Sequence, residues 1–114
     1  MPPVVEAAML FLVVVLIAAA VLEVGGDAAI RYGLVRSAWQ WIALGASALV
    51  AYGLVVNTSR SIDFGRLLGV YIAVFFVVSQ VFSVTWFGER PTAGILIGGA
   101  LIVAGGAVIQ LAAR

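Results

Sequence analysis

Residues 23–31 read Glu23-Val24-Gly25-Gly26-Asp27-Ala28-Ala29-Ile30-Arg31, and they follow nineteen residues, 4–22, whose only charged member is Glu6. Side chains four residues apart share one face of a helix, so Glu23, Asp27 and Arg31 are predicted to form a polar stripe. A carboxylate at membrane depth costs roughly 2.5–3.5 kcal/mol, and such residues mark ion or substrate pathways. Glu23 and Asp27 are therefore candidate functional residues of a membrane-spanning helix.

The composition is that of a membrane protein. Of the 114 residues, 65% are hydrophobic and 10% are charged, whereas a soluble domain typically has about 25% charged residues. The net charge of +1 provides no basic face for nucleic acid. Cysteine and histidine do not occur, and no nucleophile–base pair is recognisable. We therefore expect no metal site, no cofactor and no enzymatic activity.

Polar breaks divide the chain into four apolar spans. A span needs roughly 20 apolar residues, and every backbone group in lipid must be satisfied within its own segment, so the spans are predicted to be helices. Within a single transmembrane domain, 1–114, they cover about residues 4–31, 38–57, 62–87 and 91–113. A signal peptide cleaved near Ala18–Ala20 is the alternative for the first span, and Glu6 and the lack of a positive amino-terminal region disfavour it.

The six arginines are evenly divided between the two sides of a four-span protein. One side holds Arg31, Arg36 and Arg90, and the other holds Arg60, Arg66 and Arg114. Positive residues on the cytoplasmic side set orientation, so this balance allows insertion in both directions. The alternative is one orientation set by the insertion machinery. Arg66 itself is either a side chain that extends to the interface or a partner for an anion. We expect an integral protein of a prokaryotic inner (plasma) membrane.

The fourth span carries a surface of small residues. Gly94 and Gly98 form a GxxxG pair, and Gly98 and Gly105 are seven residues apart, nearly in line along a helix. Small residues allow two helix backbones to approach closely in lipid, where packing holds helices together. We expect Gly98 and Gly105 to form a dimerisation face. Packing within one subunit is the alternative use of such a surface.

Several segments of the chain resemble the small multidrug resistance (SMR) transporters. They are Glu23 in the first span, the turn Phe87-Gly88-Glu89-Arg90 and the glycine-rich run 98–105. The start of the third span, Gly65-Arg66 followed by Tyr71, is similar to the YnfA-type branch of that superfamily. The resemblance implies an all-α, four-helix bundle that forms an antiparallel dimer and exports organic cations in exchange for protons.

The resemblance covers about residues 22–111 and has two departures. In the third span the family has a tyrosine and a tryptophan that line the site, and this chain keeps one aromatic residue there, Tyr71. The family's Gly-x-Gly kink is replaced by residues 73–75, Ala-Val-Phe. In the first span Asp27 adds an acid that the multidrug members do not carry.

We expect a proton-coupled exporter of small organic cations or metabolites that works as a homodimer. Protons and the cation compete for the Glu23 carboxylate, with Asp27 and Tyr71 beside it. The residues that could line the site with hydrogen-bonding groups or ring faces are Ser47, Tyr52, Trp41 and Phe75. The alternative function is a non-transporting membrane module, such as an accessory subunit of a heterodimeric transporter. A simpler explanation of Asp27 is an ion pair with Arg31 at the end of the span.

Overall fold

A computed structural model describes residues 2–112 of the chain. Within this range the chain forms four α-helices and no strand: α1 (Pro3–Arg36), α2 (Trp39–Val56), α3 (Phe64–Thr85) and α4 (Ala93–Leu111). Each helix is long and apolar enough to cross a membrane. The prediction of an all-α membrane protein with four transmembrane helices is therefore confirmed.

The first helix continues past its predicted end at Arg31 and reaches Arg36. Ser37 then adopts the left-handed conformation, with φ 54° and ψ 41°. The backbone N–H of Ala38 donates to the carbonyl oxygen of Gly33 at 2.8 Å, which closes the helix. Glycine or asparagine is usual at such a position, so serine is a weak signal for a helix end. Only Ser37 and Ala38 connect α1 to α2.

The fourth helix begins later than predicted, at Ala93 instead of Pro91. The side-chain oxygen of Thr92 accepts a hydrogen bond from the backbone N–H of Ile95 at 3.2 Å. This bond satisfies one of the amide groups that a helix leaves free at its amino end, and Thr92 therefore fixes the start of α4. The predicted end of the last span, residue 113, lies outside the described residues.

The helices pack as two hairpins, α1 with α2 and α3 with α4. The chain divides into two compact units between Ser59 and Arg60, and each unit contains one hairpin. The assignment of residues 1–114 to a single transmembrane domain stays a prediction.

Small residues bring the backbones of α1 and α2 into contact. Ala19, Gly26 and Gly33 follow one another at intervals of seven residues, and all three are buried. A Cβ on Gly26 would lie 2.9 Å from the carbonyl oxygen of Gly45, and a Cβ on Gly45 would lie 2.5 Å from that of Gly26. A side chain at either position would therefore force the two helices apart, and the first hairpin depends on glycine at this crossing.

We expect Gly26→Ala to lower the Tm of the purified protein, because the added methyl group would meet the backbone of Gly45. Overpacking of this kind costs about 1–3 kcal/mol. The matched control is Gly53→Ala in α2, where an added Cβ would meet nothing within 4 Å. Alanine favours a helix over glycine, so the control should keep or slightly raise the Tm. Thermal unfolding followed by circular dichroism in detergent measures both variants, and equal Tm values would contradict this account of the crossing.

The second hairpin is packed in a similar way, through Gly99 and Gly106 of α4. Both glycines are buried. A Cβ on Gly106 would lie 2.5 Å from the Cβ of Ala73, and a Cβ on Gly99 would overlap the ring of Phe76. The two glycines form one row along α4, because residues seven apart are nearly in line on a helix. This row is the contact surface for α3.

A second row of glycines, Gly98 and Gly105, stands one residue earlier on α4. A Cβ at either position would meet no described atom within 4 Å. Successive residues of a helix are about 100° apart around its axis, so this open row lies beside the packed one. α4 thus has one glycine row that packs within its hairpin and another that is available to a further helix.

Candidate functional site

A cluster of aromatic and arginine side chains marks the end of the first hairpin. The rings of Tyr32 and Trp41 meet edge to face, with centroids 5.0 Å apart. The guanidinium carbon of Arg36 lies 5.5 Å from the centroid of the Tyr32 ring. Tryptophan and tyrosine favour the interface between membrane and water, where the ring is in an apolar region and the polar group is hydrated. We infer that the membrane surface lies at the level of this cluster.

Glu23 lies deep in the membrane by this measure. It precedes Tyr32 on α1 by about 14 Å along the helix axis. The hydrocarbon core of a bilayer is about 30 Å thick, so Glu23 is near its midplane. The side chain is half-buried. A carboxylate in this position needs a proton or a cation to offset the loss of hydration.

The second helix brings Tyr52 to Glu23. The glycine crossing at Gly26 and Gly45 lets the backbones approach, and the antiparallel direction of α2 then places Tyr52 at the depth of Glu23. The Glu23 carboxylate is close enough to act electrostatically on the phenol group of Tyr52. A tyrosine hydroxyl can donate to a carboxylate or accept from an ammonium group. The first hairpin therefore brings Tyr52, one of the residues predicted to line the site, within electrostatic reach of Glu23.

Asp27 lies one turn closer to the membrane surface than Glu23 and is exposed. Within residues 2–112 its carboxylate forms no hydrogen bond or ion pair, so the pair with Arg31 that the spacing allows does not form. The same part of the chain contains no group of three acidic side chains that could hold a metal ion. At about 8 Å below the aromatic cluster, the Asp27 carboxylate is available to a proton, a cation or another chain.

Two other predicted residues of α2 are not brought to this site by the first hairpin. Ser47 is exposed, and its hydroxyl donates to the carbonyl oxygen of Ala43 at 2.9 Å, so its hydrogen bond is made within its own helix. Trp41 belongs to the aromatic cluster at the membrane surface and is separated from Tyr52 by about 16 Å along α2.

The remaining candidates, Tyr71 and Phe75, belong to α3 in the second hairpin. Tyr71 is buried, with 4% of its surface exposed. The two rings are tilted by 50° with centroids 6.1 Å apart. Their participation in a site with Glu23 stays a prediction.

Gly26 and Gly45 position the site but were not predicted from the sequence. Their role could have been recognised from the seven-residue spacing of Ala19, Gly26 and Gly33, the same pattern that indicated a packing surface on α4. In α1 this spacing is less conspicuous, because adjacent alanines and Gly25 obscure which row of small residues faces the neighbouring helix.

The fold and the site define a small integral membrane protein with four helices that can span a membrane, the first of which carries Glu23 and Asp27 within its apolar length. The chain belongs to the family of UPF0060 membrane proteins. It is 39% identical over 106 residues to the UPF0060 membrane protein of Arthrobacter sp. (strain FB24). The aligned segment covers 90% of this chain and 91% of that protein. It is 35% identical over 112 residues to the one of Mycolicibacterium gilvum (strain PYR-GCK), covering 97% and 99%. It is 40% identical over 98 residues to the one of Nocardia farcinica (strain IFM 10152), covering 84% and 87%.

No family model matches the chain, and no solved structure is significantly similar to it. These relatives are bacterial membrane proteins, and the chain has four helices that can span a membrane. The protein is therefore an integral protein of a prokaryotic inner membrane, as predicted.

Proposed function

We propose that this protein is a proton-coupled exporter of small organic cations or metabolites and that it works as a dimer. The observation that carries the proposal is the half-buried Glu23 carboxylate near the membrane midplane, beside Tyr52. Structural needs alone do not favour an acid at this depth, because an apolar residue would be cheaper to insert. A group that must bind either a proton or a cation is what a coupled exchanger requires.

Exchange follows when the two ligands exclude one another. A cation beside Glu23 favours the ionised carboxylate, so the proton leaves; a returning proton neutralises the carboxylate, so the cation loses its partner. If the site opens to one side of the membrane at a time, a proton that enters from one side releases the cation to that same side, and loss of the proton on the other side lets the next cation bind. In this scheme the Tyr52 hydroxyl donates a hydrogen bond to the ionised Glu23 carboxylate and so stabilises it.

Asp27 extends the site toward the membrane surface. It lies about 6 Å from Glu23 along α1, and it is exposed. Within residues 2–112 the Asp27 carboxylate forms no hydrogen bond or ion pair. A cation that enters from the level of the aromatic cluster meets Asp27 before it reaches Glu23. We assign Asp27 a role in attracting and selecting the cation, and Glu23 the role of coupling cation movement to protons.

The open glycine row on α4, Gly98 and Gly105, supports a dimer. Both positions have room for a second helix, and small residues favour close helix packing in lipid. The sequence resemblance to the SMR superfamily and to its YnfA-type branch supports an antiparallel arrangement of the two copies. The even division of arginines is compatible with such a pair, since it permits insertion in both orientations.

Transport is tested by solid-supported-membrane electrophysiology on proteoliposomes, with a panel of alkylammonium, guanidinium and arylphosphonium cations. We expect cation-dependent currents that require a pH gradient or generate one. Tyr52→Phe should raise the half-saturating cation concentration about fivefold, the effect of losing one hydrogen bond of about 1 kcal/mol. Ser47→Ala is the matched control and should leave it unchanged, because that hydroxyl is bonded within its own helix.

Two results would contradict the proposal. Equal losses in Tyr52→Phe and Ser47→Ala would show that Tyr52 has no special relation to the cation. No current with any cation, from protein that is folded and inserted, would favour an accessory subunit that needs a different partner chain.

A further inference from the structure

We propose that Arg66 and Gln110 form a binding site for a phosphate group at the membrane surface. Both residues of this site belong to the second hairpin. The site connects the beginning of α3 to the end of α4. These two helix ends lie at the open end of the hairpin, opposite the turn that connects α3 to α4.

The two side chains are held together across the hairpin. Arg66 lies in the first turn of α3, Gln110 lies in the last turn of α4, and Arg66 Nη2 donates to Gln110 Oε1 at 3.2 Å. This bond uses the acceptor of the glutamine and leaves its amide NH₂ group as a donor. The amide group of Gln110 and Nη1 of Arg66 have no acceptor within residues 2–112. The pair thus presents donors from two helices to one ligand.

The charge of Arg66 is not neutralised within the described part of the chain. The side chain is half-buried, and its Nε is enclosed with no hydrogen-bond acceptor. No carboxylate of residues 2–112 forms an ion pair with it, and Asp63, at the N-cap of α3, is exposed and makes no side-chain capping bond. A half-buried cation without a counter-charge is costly, and the positive end of the α3 dipole adds to the unbalanced potential. An anion at this point would remove both penalties.

The chemistry and the location favour a phosphate group as that anion. A guanidinium group offers several N–H donors in a planar fork that matches phosphate oxygens. Because Nε is enclosed, the phosphate is reached from the Nη side of Arg66, together with the amide of Gln110. Spanning helices begin and end near the headgroups, where basic pockets between helices bind anionic phospholipids. The headgroup of an anionic phospholipid is one source of the phosphate, and a soluble phosphate compound is the other.

Native mass spectrometry of the full chain in detergent, with defined lipids added, tests the site. We expect the protein to retain phosphatidylglycerol in preference to phosphatidylcholine, and Arg66→Gln to weaken retention of phosphatidylglycerol by at least about fivefold. Arg60→Gln is the matched control, since Arg60 is exposed in the connection that precedes α3 and forms no hydrogen bond or ion pair within residues 2–112. It should retain the lipid as the parent does. Gln110→Leu should cause a smaller loss than Arg66→Gln.

Inorganic phosphate distinguishes the two sources. If the ligand is a lipid headgroup, excess inorganic phosphate should not displace phosphatidylglycerol, because the acyl chains hold the lipid beside the site. If the ligand is a soluble phosphate compound, inorganic phosphate should bind in the absence of lipid and should lose its binding in Arg66→Gln. Either result keeps the phosphate site and identifies its occupant.

The proposal is overturned if Arg66→Gln retains phosphatidylglycerol and inorganic phosphate as the parent does, or if Arg60→Gln loses them equally. It is also overturned if Arg66→Gln dissociates an oligomer without changing either ligand, since the counter-charge would then be a carboxylate of a second chain. Circular dichroism verifies the fold of each variant. If Arg66→Gln does not fold, Arg66→Lys and Gln110→Leu replace it, and unchanged binding in both of these overturns the site.

Discussion

Glu23→Gln is expected to abolish cation-induced proton release, and with it coupled transport. Glutamine keeps the size of the side chain but cannot exchange a proton, and Tyr52 cannot replace the lost charge. Removing one partner of a buried charge pair costs about 3–5 kcal/mol, which corresponds to at least about a hundredfold loss of cation affinity. A pH electrode in weakly buffered detergent solution records the protons that purified protein releases when a cation is added.

Two other acids serve as controls for this result. Asp27→Asn should retain proton release and change the affinity or selectivity for the cation. Glu6→Gln should change neither, because Glu6 is exposed in the first turn of α1. Loss of proton release in Asp27→Asn, together with its retention in Glu23→Gln, would identify Asp27 as the coupling residue instead.

If the protein forms the proposed dimer, Gly98→Leu combined with Gly105→Leu is expected to convert it into a monomer. Two leucines on this row would hold a second helix away, because close packing in lipid requires small residues at the contact. The α3–α4 hairpin should remain folded, because a Cβ atom at either position would meet no described atom within 4 Å. Light scattering coupled to size-exclusion chromatography, and cross-linking in detergent, measure the oligomeric state.

The matched control for the dimer is Gly53→Leu combined with Gly65→Leu. It makes the same two changes at glycines of α2 and α3 that also have open space around them. This variant should remain dimeric. If the α4 variant is dimeric as well, the dimer contact lies elsewhere; if both variants are monomeric, the effect of leucine is not specific to the open glycine row.

The number of helices could be predicted from the sequence, and Glu23 could be selected from it as a candidate functional residue. Four apolar runs separated by polar breaks leave little freedom, because lipid forces each span to satisfy its own backbone. Glu23 is a candidate because a charge far inside an apolar run is rare and costly. Both predictions rest on the chemistry of single segments and do not depend on how the segments pack.

Other features depend on packing and could not be predicted. The glycine rows that begin at Gly98 and at Gly99 have the same seven-residue spacing. Only the position of α3 decides that the row beginning at Gly99 packs within the hairpin. The spacing of Asp27 and Arg31 permits an ion pair but does not require one, because long side chains lose entropy when they are fixed. The end of α1 at Ser37 depends on a left-handed serine that local propensity disfavours.

The two-residue connection between α1 and α2 also bears on how the protein is made. It keeps the contacts of the first hairpin short in sequence, and contacts between residues close in sequence form quickly. Synthesis proceeds from the amino terminus at about 5–20 residues per second, and every residue of this hairpin precedes Arg60. We therefore expect Glu23 and Tyr52 to meet while the second half of the chain is still on the ribosome, so that the acid is partnered before translation ends.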